Sequence, residues 1–182
     1  MDTGAQSGYK FSDGRPVHFV VGMKNCLSNS FPYNLTSTNA GSWASSYAEN
    51  TITNDAFCRV LPSGYNLIFK AFWVLTASEY NSDTTTENSD IFSFFAQKEI
   101  FGTTGQSREI EADSLTQIDW YKTSSNRTKR RPTGATTTST CIWLLRSPRS
   151  NYDNQVLCVS TSGSATYTAA NTARFISCFG CI

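Results

Sequence analysis

Charge is what this chain has least of. Fifteen Lys and Arg stand against fourteen Asp and Glu, a formal net charge of +1, and charged residues fill only 16% of the 182 positions. That scattered balance leaves no broad electrostatic footprint, so neither nucleic acid nor an anionic membrane surface is expected as a partner. Histidine occurs once, at His18. A lone imidazole has no second one with which to hold a metal or relay a proton, and among β-rich neighbours it reads as a strand residue. No apolar run approaches the roughly 20 residues needed to cross a bilayer, and the opening Met1-Asp2-Thr3-Gly4 lacks the basic and apolar regions of a signal peptide. The expectation is a soluble, unprocessed chain without membrane insertion.

Metal and acid-base chemistry are also thinly provided for. Six cysteines sit within or beside apolar runs, and only Cys178 with Cys181 has the Cys-x-x-Cys spacing. Zinc would need two further soft ligands, so the cysteines read better as small buried hydrophobes, and their count fits either redox compartment. The acidic loop at 78–90 lacks the spacing and central glycine of an EF-hand. Glu109 and Glu111 stand two apart, but no nucleophile or histidine accompanies them. The sequence therefore implies no metal, no cofactor and no catalytic residues.

What the chain does have is threonine, serine, asparagine and aromatic side chains, the last at 13%. These favour strands, turns and polar contact surfaces over long helices. The length suits one domain with a true core. Residues 1–12 read as a flexible lead-in and 13–182 as the domain. A turn at Asp13-Gly14-Arg15-Pro16 introduces a strand over 17–23. Ser42 is placed to cap a helix running to about Phe57, with Trp43, Tyr47 and Thr51 on one side as core. Leu61-Pro62-Ser63-Gly64 breaks it, 65–70 adds a short turn, and a strand follows at 71–76. The segment 78–90 has no apolar period and reads as a solvated loop.

A strand at 91–95 then leads to a one-turn helix at 97–101 closed by Gly102. Residues 108–113 read as an exposed connection and 117–121 as a short helix. The basic run 126–131 is a candidate grip for phosphate or an acidic glycan, but without interleaved aromatics it reads as a solvated loop. After a polar spacer at 133–140, Ile142-Trp143-Leu144-Leu145 returns to the core. Strands at 155–159 and 165–167 flank the Ser-Gly turn of 160–164, and 175–182 is the closing strand. The order makes an α+β domain.

Gly41-Ser42-Trp43, Leu61-Pro62, Asp90-Ile91-Phe92, Glu99-Ile100-Phe101-Gly102 and above all Trp143-Leu144-Leu145-Arg146-Ser147-Pro148 carry a resemblance. In that order, with the Ser-Gly hairpin and the closing strand, they resemble an uncharacterised bacterial and phage domain family from about Asp13 to Ile182. That family is similar to the C-type-lectin-like fold of formylglycine-generating enzymes and of the variable proteins of diversity-generating retroelements. The chain departs from it at Ala96, where the family has a helix-capping serine, and in a closing strand that lacks the family's arginine and proline. The resemblance implies a C-type-lectin-like fold with antiparallel N- and C-terminal strands, two helices and long polar loops, so that 17–23 lies beside 177–182.

It also implies a ligand face built from the late loops: Arg149, Ser150, Asn151, Tyr152, Asp153 and Asn154 from one, and Tyr167, Ala169, Asn171, Thr172 and Arg174 from the other. These loops are composed largely of residues that adenine-directed diversification produces. Tyrosine offers rigid amphipathic contact area while Ser, Asn and Gly offer adaptable hydrogen bonds, as in paratopes. Arg146 is expected to brace the loop through backbone carbonyls. The leading expectation is a non-enzymatic binding domain on a virion or prokaryotic cell surface, recognising a protein or glycan receptor and possible as an oligomer. A virion decoration module and a formylglycine-generating-like oxidase using Cys178 and Cys181 are the alternatives.

Overall fold

Two β-rich runs far apart in sequence, one near each end, form the middle of a sheet. In the computed structural model, which describes residues 2–5, 9–17, 19–53, 69, 72–77, 85–103 and 116–182, β2 (Phe19–Gly22) pairs antiparallel with the closing strand β13 (Cys178–Cys181). Phe179 stands opposite Gly22 and Cys181 opposite Val20, the pairing expected of 17–23 with 177–182. β6 (Phe92–Phe94) lies on the other side of β13, and β1 (Asp2–Ala5) adds an edge beyond β2. β1 lies inside the 1–12 segment expected as a flexible lead-in. β2 would otherwise present an open row of N–H and C=O groups, and backbone pairing meets that demand without an apolar pattern. Tyr9 is buried as well, with its ring 5.5 Å from that of Phe179.

The second sheet runs β11 (Ala165–Ala169), β10 (Gln155–Val159), β9 (Trp143–Pro148), β12 (Arg174–Phe175), β3 (Ser30–Phe31). It is antiparallel except where Phe175 meets Trp143. All six residues of β9 are buried, which is why this run has no polar alternation apart from the Arg-Ser pair. Two hairpins complete the strands: β4 (Phe72–Ala77) with β5 (Thr85–Asp90), and β7 (Arg130–Pro132) with β8 (Thr138–Thr140). The solvated loop expected over 78–90 is therefore a strand in its second half. Its threonines favour extended backbone, and a ladder needs no apolar period. Among the described residues the helices are short: α1 (Gln97–Phe101) and α2 (Asp119–Lys122). The domain is α+β, mostly strands, with antiparallel sheets.

The long helix expected from Ser42 does not form over its described part. A 3₁₀ turn at Trp43–Ser45 is followed by π-helical Ala48–Thr53. Ser42 has φ of 50° and caps nothing through its side chain. Instead the Ser46 hydroxyl donates to the Trp43 carbonyl at 2.8 Å and accepts the Glu49 N–H at 3.0 Å. That local bonding competes with continuous helix. The missing serine at Ala96 is made good from elsewhere: the Glu99 carboxylate accepts the Ala96 N–H at 2.7 Å, and Ser147 Oγ of β9 accepts the Gln97 N–H at 2.9 Å. Gly102, with φ of 74°, closes α1 as expected. His18, the break at 61–64, the 65–70 turn apart from Phe69, and the connection at 108–113 lie outside the described residues.

Arg146 is the polar centre of the fold. It is fully buried, its two terminal nitrogens reach the two Glu99 carboxylate oxygens at 2.9 and 3.0 Å, and they also donate to the Phe94 carbonyl (2.8 Å) and the Tyr9 hydroxyl (3.1 Å). The Tyr33 hydroxyl donates to the Arg146 carbonyl at 3.1 Å. One residue of β9 thereby gathers the N-terminal segment, the 33–34 loop, β6 and α1. Around it pack Phe95 stacked on Phe179 (4.7 Å) and Trp43 against Phe94 (4.8 Å).

The basic run is no solvated loop. Lys129 is 1% exposed, donates to the Met23 carbonyl, and lies over the rings of Phe95 (5.7 Å), Tyr121 (5.4 Å) and Trp143 (5.2 Å). Arg127 covers Phe101 and Arg131 covers Phe175. The run lacks aromatics of its own and takes them from four other segments.

Candidate functional site

β9 leaves the core at Pro148, and the chain must turn back at once to enter β10. It does so through a turn in which the Tyr152 N–H donates to the Arg149 carbonyl at 3.3 Å and Asn151 takes φ of 65°. Asparagine tolerates that left-handed conformation better than most residues. At the far end of the β10–β11 hairpin pair, the Ala170 N–H bonds the Asn154 carbonyl at 2.8 Å, and Thr172 turns back on Ala169 at 2.9 Å. The two late loops are thus tied to each other through the backbone.

The turn brings three expected residues together. The Arg149 guanidinium lies 4.0 Å from the Tyr152 ring centre and 3.5 Å from that of Tyr167, so it is stacked between the two. Arg149 also donates to the Gln155 side-chain oxygen. Tyr167 points outward from β11 by strand alternation, next to the inward Thr168. Tyr152 and Tyr167 remain 43% and 47% exposed, so the stack displays both rings to solvent. A planar cation between two ring faces restrains both tyrosines before any partner arrives.

The remaining expected residues divide. Asp153 and Asn171 are exposed on the same loops, and Ser150, Asn154, Ala169 and Thr172 are half-buried there. Arg174 is not brought to the stack. It sits in β12, three strands from β11, a separation of about 14 Å at ordinary strand spacing.

A third loop completes the face and was not expected. The Asn34 N–H donates to the Ala170 carbonyl at 2.9 Å. Buried Asn39 donates from its backbone to the Asp153 carbonyl (2.7 Å) and from its side chain to the carbonyls of Tyr152 (2.7 Å) and Gln155 (2.6 Å). Between these two clamps stands Leu35, 69% exposed. Its only trace in the sequence is that 34–39 shares the Asn, Ser and Thr composition of the late loops.

The cysteines give a different picture from a redox pair. Cys178 and Cys181 are three apart on an extended strand, so their thiols leave opposite faces. Cys178 feels the Lys129 charge, Cys181 those of Glu99 and Arg146, and burial pushes both thiols up. Cys141 is lowered, first by a hydrogen bond from the Cys26 thiol and then by the charges of Arg131 and Lys129. All five described cysteines are free and buried, and the described residues hold no cluster of three or more metal-ligating side chains.

The model of DUF6273, a domain of unknown function, matches residues 54–176. The chain belongs to that family. No curated protein and no solved structure matches it. The DUF6273 span contains Arg149, Tyr152 and Tyr167 and ends just before β13. Asn39 and Leu35, which complete the face, and β2, which completes the first sheet, lie before it.

Proposed function

We propose that this domain is a non-enzymatic binding module whose recognition face is the Arg149, Tyr152, Tyr167 stack with Leu35 and the exposed polar residues of the late loops. The observation that carries the reading is the guanidinium held between two half-exposed tyrosine rings. Tyrosine and arginine dominate binding energy at protein interfaces, and restraint of their side chains before contact lowers the entropy lost on binding. A protein receptor fits an exposed aromatic surface of this kind. The β2–β13 pairing supports the C-type-lectin-like arrangement, in which late loops form the ligand face. Display on a virion or prokaryotic cell surface, with the late loops as the variable segment of a retroelement-diversified protein, is the setting that goes with it.

The test is site-specific photocrosslinking in the native source. A photoreactive phenylalanine analogue at position 35 or 167 is expected to trap one and the same protein, and the analogue at exposed Phe19, on the other sheet, is expected not to. Trapping from Phe19 alone would refute the assignment, and a glycan-bearing adduct that deglycosylation abolishes would replace the protein receptor with a sugar.

A further inference from the structure

A second concave surface lies at the opposite end of the β10–β11 hairpin. Its cavity of about 200 Å³ is lined by Lys24, Asn25, Trp120, Ser125, Asn126, Thr128 and Arg130. We propose that it is a binding site for a single anionic sugar ring, with the acidic group between Lys24 and Arg130 and the ring against Trp120. This inference is independent of the recognition face.

The pocket is held by rigid parts. Asn126 Nδ2 donates to the Trp120 carbonyl at 2.8 Å, Arg127 Nε to the Tyr121 carbonyl at 2.9 Å, and Trp143 Nε1 to the Arg127 carbonyl at 3.0 Å. On the other side the Cys26 N–H bonds the Arg130 carbonyl at 2.9 Å, which fixes 24–26 beside β7. The hairpin turn at Gly163 closes against this wall so tightly that a Cβ there would lie 3.1 Å from the Ser124 carbonyl oxygen and from Thr128 Oγ1.

Alternation along 128–131 sends Lys129 into its aromatic cage and leaves Arg130 outside. Lys24 and Arg130 are both exposed, and among the described residues neither meets a carboxylate. The nearby acid, Asp119, is already paired with Lys122 at 2.6 Å. Two cations therefore line the cavity with no described carboxylate to neutralise either, Arg130 donating only to Thr138 Oγ1 at 3.4 Å.

The remaining lining selects among anions. Trp120 is 36% exposed, whereas Trp43 and Trp143 are wholly buried. An indole face takes the C–H face of a ring, and two amides and two hydroxyls offer hydrogen bonds to several ring hydroxyls. An aliphatic or aromatic acid would use none of the hydrogen-bonding capacity left on Asn25, Ser125, Asn126 and Thr128. The volume, below the usual range for drug-sized ligands, limits the occupant to about one ring.

The test is titration of the ¹⁵N-labelled full chain with glucuronate, glucose, benzoate and inorganic sulfate, read at the Trp120 indole N–H, which Trp120→Phe assigns. Glucuronate is expected to shift that signal saturably, while the other three at equal concentration do not. Lys24→Gln or Arg130→Gln is expected to weaken glucuronate by about tenfold, and Tyr152→Ala with Tyr167→Ala to leave it unchanged. No saturable shift with glucuronate would overturn the proposal. So would equal binding of sulfate or benzoate, which would mean a generic cationic patch, or loss of the shift in the double tyrosine variant with the rest of its spectrum intact.

Discussion

Replacing Asp90 by asparagine is expected to raise stability at neutral and alkaline pH and to leave it unchanged in acid. Asp90 is 5% exposed at the end of β5, and its Oδ2 accepts the Trp43 indole N–H at 2.7 Å. Burial raises its carboxyl most, the Glu49 carboxylate adds to the rise, and Trp43 and Arg146 oppose it, so the folded value stands at about 7 against an ordinary 3.8. The folded state then holds a proton that the unfolded state has released between about pH 4 and pH 7. Stability must therefore fall as pH rises through that window and level off above 7. At about 1.4 kcal/mol per pH unit the whole difference is at most about 4 kcal/mol. Asparagine still accepts the Trp43 bond but carries no charge, so it escapes the loss. The assay is urea denaturation of wild type and Asp90→Asn from pH 4 to pH 8, taking the difference between them so that carboxyls other than Glu49, which shares a hydrogen bond with Asp90, cancel. A gap that opens from near zero to several kcal/mol across the window supports the account. Parallel curves, or a gap that narrows as pH rises, would refute it.

Arg146→Met should destabilise the domain by about 3–5 kcal/mol, because it leaves the Glu99 carboxylate buried without its ion pair, and adding Glu99→Leu should recover part of the loss; thermal melts of the single and double variants read this directly. Gly180→Ala should cost about 1–3 kcal/mol, since the new methyl would lie 2.6 Å from a Phe69 ring carbon and 3.0 Å from the Ile91 carbonyl oxygen. Timed thiol labelling of native protein should find Cys158, Cys178 and Cys181 protected, with Cys141 reacting first among the five described cysteines. Fast joint reaction of Cys178 and Cys181 would instead favour the oxidase alternative.

Where apolar pattern or turn chemistry sets the structure, the residues announce it: the strands near the two ends, the buried run at Trp143, the hairpin around Ser160-Thr161-Ser162-Gly163-Ser164, and Gly102 at the end of α1 all lie where local chemistry puts them, whereas the pairing of 17–23 with 177–182 is implied by the family resemblance alone. What stayed hidden depends on partners distant in sequence. β1 and the second half of 78–90 form strands because a neighbouring backbone needs pairing, which no side-chain period signals. Ser147 caps a helix fifty residues upstream. Lys129 borrows its cage from Phe95, Tyr121 and Trp143. The same holds at the recognition face, where Tyr152 and Tyr167 stand out by residue type, but their joining through Arg149 and the clamp from Asn39 arise only in the folded chain.

The central claim is that binding energy is concentrated in one stack. The most direct measurement is the affinity of the crosslinked partner for wild type, Tyr152→Ala with Tyr167→Ala, Arg149→Lys and Phe19→Ala, each first shown to melt as wild type does. Loss of about 2 kcal/mol or more in the double tyrosine variant, a smaller loss in Arg149→Lys, which keeps the charge but not the planar stack, and none in Phe19→Ala is the predicted result. Unchanged affinity in the double tyrosine variant, or an equal loss in Phe19→Ala, would contradict it.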